Sequence, residues 1–171
     1  METQTQTQTQ TKYRGPCWDA ALDIVKELKL NIAMLETAER VRVSDVMRLL
    51  DEVLEWIPGD VPPPIKRKLR RAVLKLCDLS EHIAAELLIK AAKNRRNSVV
   101  VRMLLDAGVK PTTEALEVAL EVAVEQGNVE VVRMLLDAGA EPTAETLEAV
   151  FWHEYLEDCA KVVRMLLLRG A

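Results

Sequence analysis

At 171 residues the chain has room for one domain or a short array of small units. Hydrophobic residues make up 49% of it, which excludes a chain too polar to fold, and aromatics make up only 4%, so a core must come from Leu, Val, Ala and Met. The formal net charge is −4, no apolar run approaches the roughly 18 residues of a membrane span, and no basic start leads into a signal-peptide apolar segment.

Cys17, Cys77 and Cys159 are odd in number and far apart, which argues against a disulfide framework. They read as small buried hydrophobes in a reducing, intracellular compartment, taken as the cytoplasm. Outside the N-terminal tail Gln126 is the only glutamine. Low amide content with many charges fits a thermostable chain or an engineered one.

Residues 2–11 read ETQTQTQTQT, with nothing apolar to bury, so residues 1–15 are expected to be a disordered low-complexity tail. From Pro16 an amphipathic helix is predicted to about Glu39, carrying Trp18, Ala21, Leu22, Val25, Leu28, Leu30, Ile32, Met34 and Leu35. Asp19 and Asp23 sit early in it and Lys26 and Lys29 later, as the helix dipole prefers. Residues 41–43 form a connector. Ser44 is a candidate N-cap for a helix over Asp45 to Trp56, which Pro58-Gly59 ends. Pro62, Pro63 and Pro64 force an extended segment, and Pro64 suits the first position of a helix over Ile65 to Cys77. Residues 16–79 thus predict a helical cap, or divergent leading repeats, without the motif that follows.

That motif occurs three times. Val100 to Gly108 and Val131 to Gly139 both read VVRMLLDAG, and Val162 to Gly170 reads VVRMLLLRG. The copies open on Val100, Val131 and Val162, at one constant interval. Such a period marks a solenoid, whose units bury their apolar faces against one another. Within the phrase the valines and leucines form a broad helical stripe, and the glycine follows where a positive φ is needed. Longer helices precede it. His82 to Lys93 is the first, followed by a turn at Asn94 to Asn97 in which Arg96 stands where Gly127 stands one repeat later. Thr112 to Gln126 is the second, with Thr112 as N-cap and Leu116, Ala119, Leu120 and Ala123 at helical spacing.

The segment GNVEVVRMLLDAGAEPT resembles the second helix of an ankyrin repeat in its Gly-Asn turn, Val-Glu-Val-Val start, paired leucines and Ala-Gly-Ala end. Three such units span about 80–171. The TPLH-type start of the first helix is missing; Pro142-Thr143-Ala144-Glu145 stands in its place, and only residues 141–145 separate Ala140 from Thr146, too few for the long hairpin finger of that family. The resemblance implies an all-α fold, an α-solenoid of stacked antiparallel helix pairs, with protein partners.

The third repeat departs most. Adding the period to Leu120, Glu121 and Val124 gives Phe151, Trp152 and Tyr155, and adding it to Asp137 gives Leu168. Glu121 is expected on the surface, and so therefore is Trp152. A terminal repeat needs a polar outer face, and this one gains Trp, Tyr and Leu.

Chemistry is hard to assemble from these residues. His153 and Glu157 share a helix face but form only a near miss for the HExxH zinc motif, with no third ligand at hand. Cys159 lies off the face of His153, and the glycines build no phosphate cradle. No catalytic residue, metal, cofactor or small-molecule substrate is inferred, and the chain reads as a non-enzyme.

Charge is unevenly spread. From Pro64 to Arg102 there are 11 basic and 3 acidic residues; from Met103 onward there are 5 basic and 13 acidic. A solvated face, a docking patch for an acidic protein or a head-to-tail copy, and a nucleic-acid surface are the three readings of the basic run. No aromatic is interleaved with it to stack bases, which weighs against the last. The sequence therefore points to a protein-interaction scaffold, self-associating through its last repeat by Trp152, Tyr155 and Leu168, with Arg67, Arg70 and Arg71 as a second contact set. A nucleic-acid accessory role and an engineered structural repeat are the alternatives.

Overall fold

A computed structural model of the chain describes residues 16–37, 42–56, 62–152 and 159–169, and every regular element among them is helical. The expected tail at 1–15 lies outside the described residues, as do Pro58-Gly59 and Gly170. The chain divides into two compact units, residues 1–75 and 76–171.

In the first unit, α1 (Pro16–Glu36) packs against α2 (Val43–Trp56). Ala21, Ile24, Val25, Leu28 and Ile32 make the buried stripe of α1. Leu30 does not join it and is exposed, because two residues turn a helix by about 200° and Leu28 already points inward. Thr37 closes α1 by donating its hydroxyl toward the carbonyls of Ala33 and Met34, 3.1 Å from each. The helix thus ends on Glu36, short of the expected Glu39.

Ser44 is not the cap of α2. The carbonyl of Arg42 already accepts from the N–H groups of Asp45 (3.0 Å) and Val46 (3.3 Å), so the helix begins earlier and Ser44 lies in its first turn. Likewise α3 (Pro63–Leu79) begins on Pro63, not Pro64. The first helical positions have no N–H partner to lose, so two consecutive prolines are tolerated there, and Pro62 supplies the carbonyl that Ile65 and Lys66 bond at 3.0 Å. Lys75 on α3 pairs with Glu36 on α1 at 2.6 Å.

The second unit contains α4 (Glu81–Ala92), a 3-10 turn (Arg95–Asn97), α5 (Ser98–Asp106), α6 (Thr113–Glu125), α7 (Val129–Asp137), α8 (Ala144–Trp152) and α9 (Cys159–Arg169). The helices pair as α4 with α5, α6 with α7 and α8 with α9. The pairs stack, with α4, α6 and α8 in one row and α5, α7 and α9 in the other. The three VVR phrases therefore lie side by side along one row, and the unit is an all-α solenoid. Val100, Val101 and Leu104 of one phrase and Val131, Val132 and Leu135 of the next are buried, each large side chain contributing roughly 1.5–3 kcal/mol.

Local chemistry sets the ends. Ser80 and Thr112 cap α4 and α6 by accepting from the N–H groups of Ile83 (3.4 Å) and Ala115 (3.2 Å). At α8 the cap is reciprocal: Thr146 N–H donates to the Thr143 hydroxyl (3.2 Å), and Thr143 N–H donates to the Thr146 hydroxyl (3.3 Å). The first two phrases end on Gly108 (φ 75°) and Gly139 (φ 99°), each followed by a six-to-one bond, Val109 N–H to Leu104 C=O and Ala140 N–H to Leu135 C=O.

The two rows of helices keep different intervals. The second helices keep the interval that separates Val100 from Val131. The buried positions Ala84, Leu88 and Ala92 of α4, however, recur in α6 as Leu116, Leu120 and Val124, each one position later than that interval would place them. Arg96 still stands directly before Asn97, the cap position of α5, as Gly127 stands before Asn128, the cap of α7. The turn before α5 holds one extra residue, which the 3-10 turn absorbs; the Asn94 side chain caps that turn by accepting from Arg96 N–H at 3.0 Å.

Candidate functional site

The repeats serve as controls for one another, because the same position can be compared in a covered and an uncovered unit. Leu120 on α6 is 0% exposed, and its counterpart Phe151 on α8 is 73% exposed. Leu136 on α7 is 3% exposed, and its counterpart Leu167 on α9 is 60% exposed. Val132 and Leu116 are buried, whereas Val163 and Leu147 are half-buried; Glu117 is half-buried, whereas Glu148 is exposed. The cause is position in the stack. Helices α8 and α9 cover α6 and α7, and among the described residues no further pair covers α8 and α9. Among the described residues, the last repeat thus carries side chains of interior type that no further unit covers.

Leu168, where Asp137 stands one repeat earlier, is 73% exposed. It lines an open groove of about 160 Å³ between α7 and α9, with Arg133, Leu136, Asp137, Met165 and Arg169. Arg169 is fastened there by the Asp137 carboxylate (2.6 Å) and the Leu136 carbonyl (3.2 Å). The side chain of Trp152 and the whole of Tyr155 lie outside the described residues. Glu121, the guide to Trp152, is half-buried and not fully on the surface, because α8 packs against its helix.

Phe151, which the period already sets opposite Leu120, and Leu167 stand outside the expected contact set, because they do not depart from the repeat in type. These two keep their apolar character and are exposed. Adding the period to the core position Leu136 is the signal that finds Leu167.

Charges mark the same stack. Arg102 on α5 reaches forward to pair with Glu130 on α7 in the next repeat. For Arg133, one repeat later, Lys161 holds the position that Glu130 holds for Arg102. Arg164, at the same place in the last repeat, has no carboxylate partner among the described residues.

The second contact set falls in the first unit. Arg67 and Arg71 are exposed on α3, and their spacing with Arg70 puts the three on one face. Arg70 is half-buried, and its Nε is buried without a hydrogen-bond partner. Lys75, one turn on, is already paired with Glu36.

Reactive chemistry is sparse in these surroundings. Cys77 is buried, and burial, reinforced by the neighbouring Asp78 carboxylate, pushes its thiol up to about 12, so it stays protonated and inert. His153, Glu157 and the side chains of Cys17 and Cys159 lie outside the described residues. Among the described residues no three His, Cys, Asp or Glu side chains lie together as metal ligands, and no helix is long and apolar enough to cross a membrane.

Comparison with known proteins agrees with this geometry. A family model described as ankyrin repeats (3 copies) matches residues 68–146, starting within α3 and stopping within α8, so α9 and the third phrase lie beyond it. No curated protein and no solved structure matches the chain. Ankyrin repeats generally mediate protein–protein interaction, in a family of non-catalytic modules. The stacked helix pairs and the glycine-ended second helices agree with this match, and residues 68–146 are similar to ankyrin repeats.

Proposed function

We propose that this chain is an intracellular, non-enzymatic interaction scaffold that associates with itself through the open end of its last repeat. The observation that carries the reading is the exposure of Phe151 and Leu167 at positions whose counterparts, Leu120 and Leu136, are core. Large exposed apolar side chains of this kind are unfavourable in water, and a partner relieves that cost. Leu168 and, from the sequence, Trp152 and Tyr155 extend the contact. Sedimentation velocity over a wide concentration range tests it. The wild-type chain should associate and Phe151→Asp should not; a wild type that stays monomeric at high concentration sinks the reading.

A second reading is favoured by the cations of α3. Lys66, Arg67, Lys68, Arg70 and Arg71 have no ion pair among the described residues, which suits an acidic partner, a nucleic acid included. Binding to a generic DNA duplex that weakens steeply with salt supports it, and no binding at low salt dismisses the nucleic acid.

A further inference from the structure

Resting on the self-association reading, we infer that the occupant of the open end is a second copy turned by a two-fold axis, with Arg164 of each copy paired to Glu148 of the other. Phe151 and Leu167 of the two copies fill the centre.

The argument starts from the stack. The arginine of the first phrase projects toward the following repeat, as the Arg102–Glu130 pair shows. Arg164 occupies that place in the last repeat, so its guanidinium is aimed past the end of the array, at whatever covers it. The occupant must therefore offer apolar surface for Phe151 and Leu167 and a carboxylate for Arg164. The same face supplies both. Glu148 is exposed on α8, one turn before Phe151, where its counterpart Glu117 is half covered by the next repeat.

Because α8 and α9 run antiparallel side by side, a two-fold axis parallel to them and lying in the interface sets α8 of one copy over α9 of the other. That operation brings the acid-bearing helix onto the base-bearing helix twice and leaves the apolar residues between. An isologous contact of this sort closes on itself, as most soluble homo-oligomers do. Like charges would have met in the other face-to-face arrangement, α8 over α8, so the charge pattern selects between the two.

Charge reversal in mixed populations tests this. Glu148→Arg and Arg164→Glu, each alone, should weaken association about tenfold or more, because each places like charges in both pairs. An equimolar mixture of the two variants should form a heterodimer near wild-type strength, since the two reversed residues then face each other with opposite sign and the two unaltered residues do likewise. Phe151→Asp serves as the control for the open end itself. If Phe151→Asp abolishes association but the mixture is no stronger than either variant alone, the two-fold pairing is wrong and end-on self-association stands. If Phe151→Asp leaves association intact, the open end is not the contact and both readings fall. Circular dichroism of each variant, expected unchanged for these exposed positions, separates misfolding from lost contact.

Discussion

The guanidinium of Arg95 donates to the backbone carbonyl of Gly127 across 2.9 Å, tying the turn of one repeat to the turn of the next. The bond is part-buried and charge-assisted. Arg95→Ala should destabilise the repeat unit by about 1 kcal/mol or slightly more, read as a lower urea midpoint with an unchanged slope. A variant as stable as wild type would mean that the bond contributes nothing net.

The glycine stops give a cleaner backbone test. A Cβ added at Gly108 or Gly139 meets nothing within 4 Å, so only the positive φ resists substitution. Gly108→Ala and Gly139→Ala should each cost about 1 kcal/mol, and asparagine, which tolerates this region, should cost less. Equal losses for alanine and asparagine would point away from backbone strain.

Cover along the stack predicts a contrast between two leucines. Leu135→Ala empties a fully buried site and should cost about 3 kcal/mol. Leu167→Ala should change the stability of the monomer by less than about 0.5 kcal/mol, since that side chain is exposed. Thermal or urea unfolding at a dilution where the chain is monomeric measures both.

Cys77 predicts a pH dependence with a definite sign. Its folded thiol lies at about 12 against an ordinary value of 9.0, so the folded state holds the proton longer than the unfolded state does. Its contribution is fully present below pH 9.0 and is lost as pH rises toward 12. Cys77→Ala should flatten the decline in stability over that window. In the native wild type the thiol should also react with Ellman's reagent only as fast as the unit opens.

Much of the fold was legible because repetition turns one reading into three. The valines and leucines of the phrase, Thr112 as a cap and the glycine stops all depend on neighbours within a few residues, so short-range chemistry specifies them. The misses have a different origin. Whether Ser44 or Arg42 begins α2 depends on which carbonyl takes the first helical bond, and both fit the local sequence. The extra residue before α5 is invisible to a count that follows the second helices alone, because those keep strict time. Phe151 and Leu167 are ordinary repeat residues by type, and only the number of units beyond them decides whether they are interior or surface.

The constant spacing of the second helices also bears on how such a chain can change in length. Residues 109–139 make one complete module whose two flanks match, since the surface that receives it from α4 and α5 is of the kind it presents to α8 and α9. A tandem duplication of that segment, spliced after Gly139, would insert a middle unit between existing neighbours without inventing a new junction. The array can grow or shrink by whole modules while both of its outermost units remain as they are.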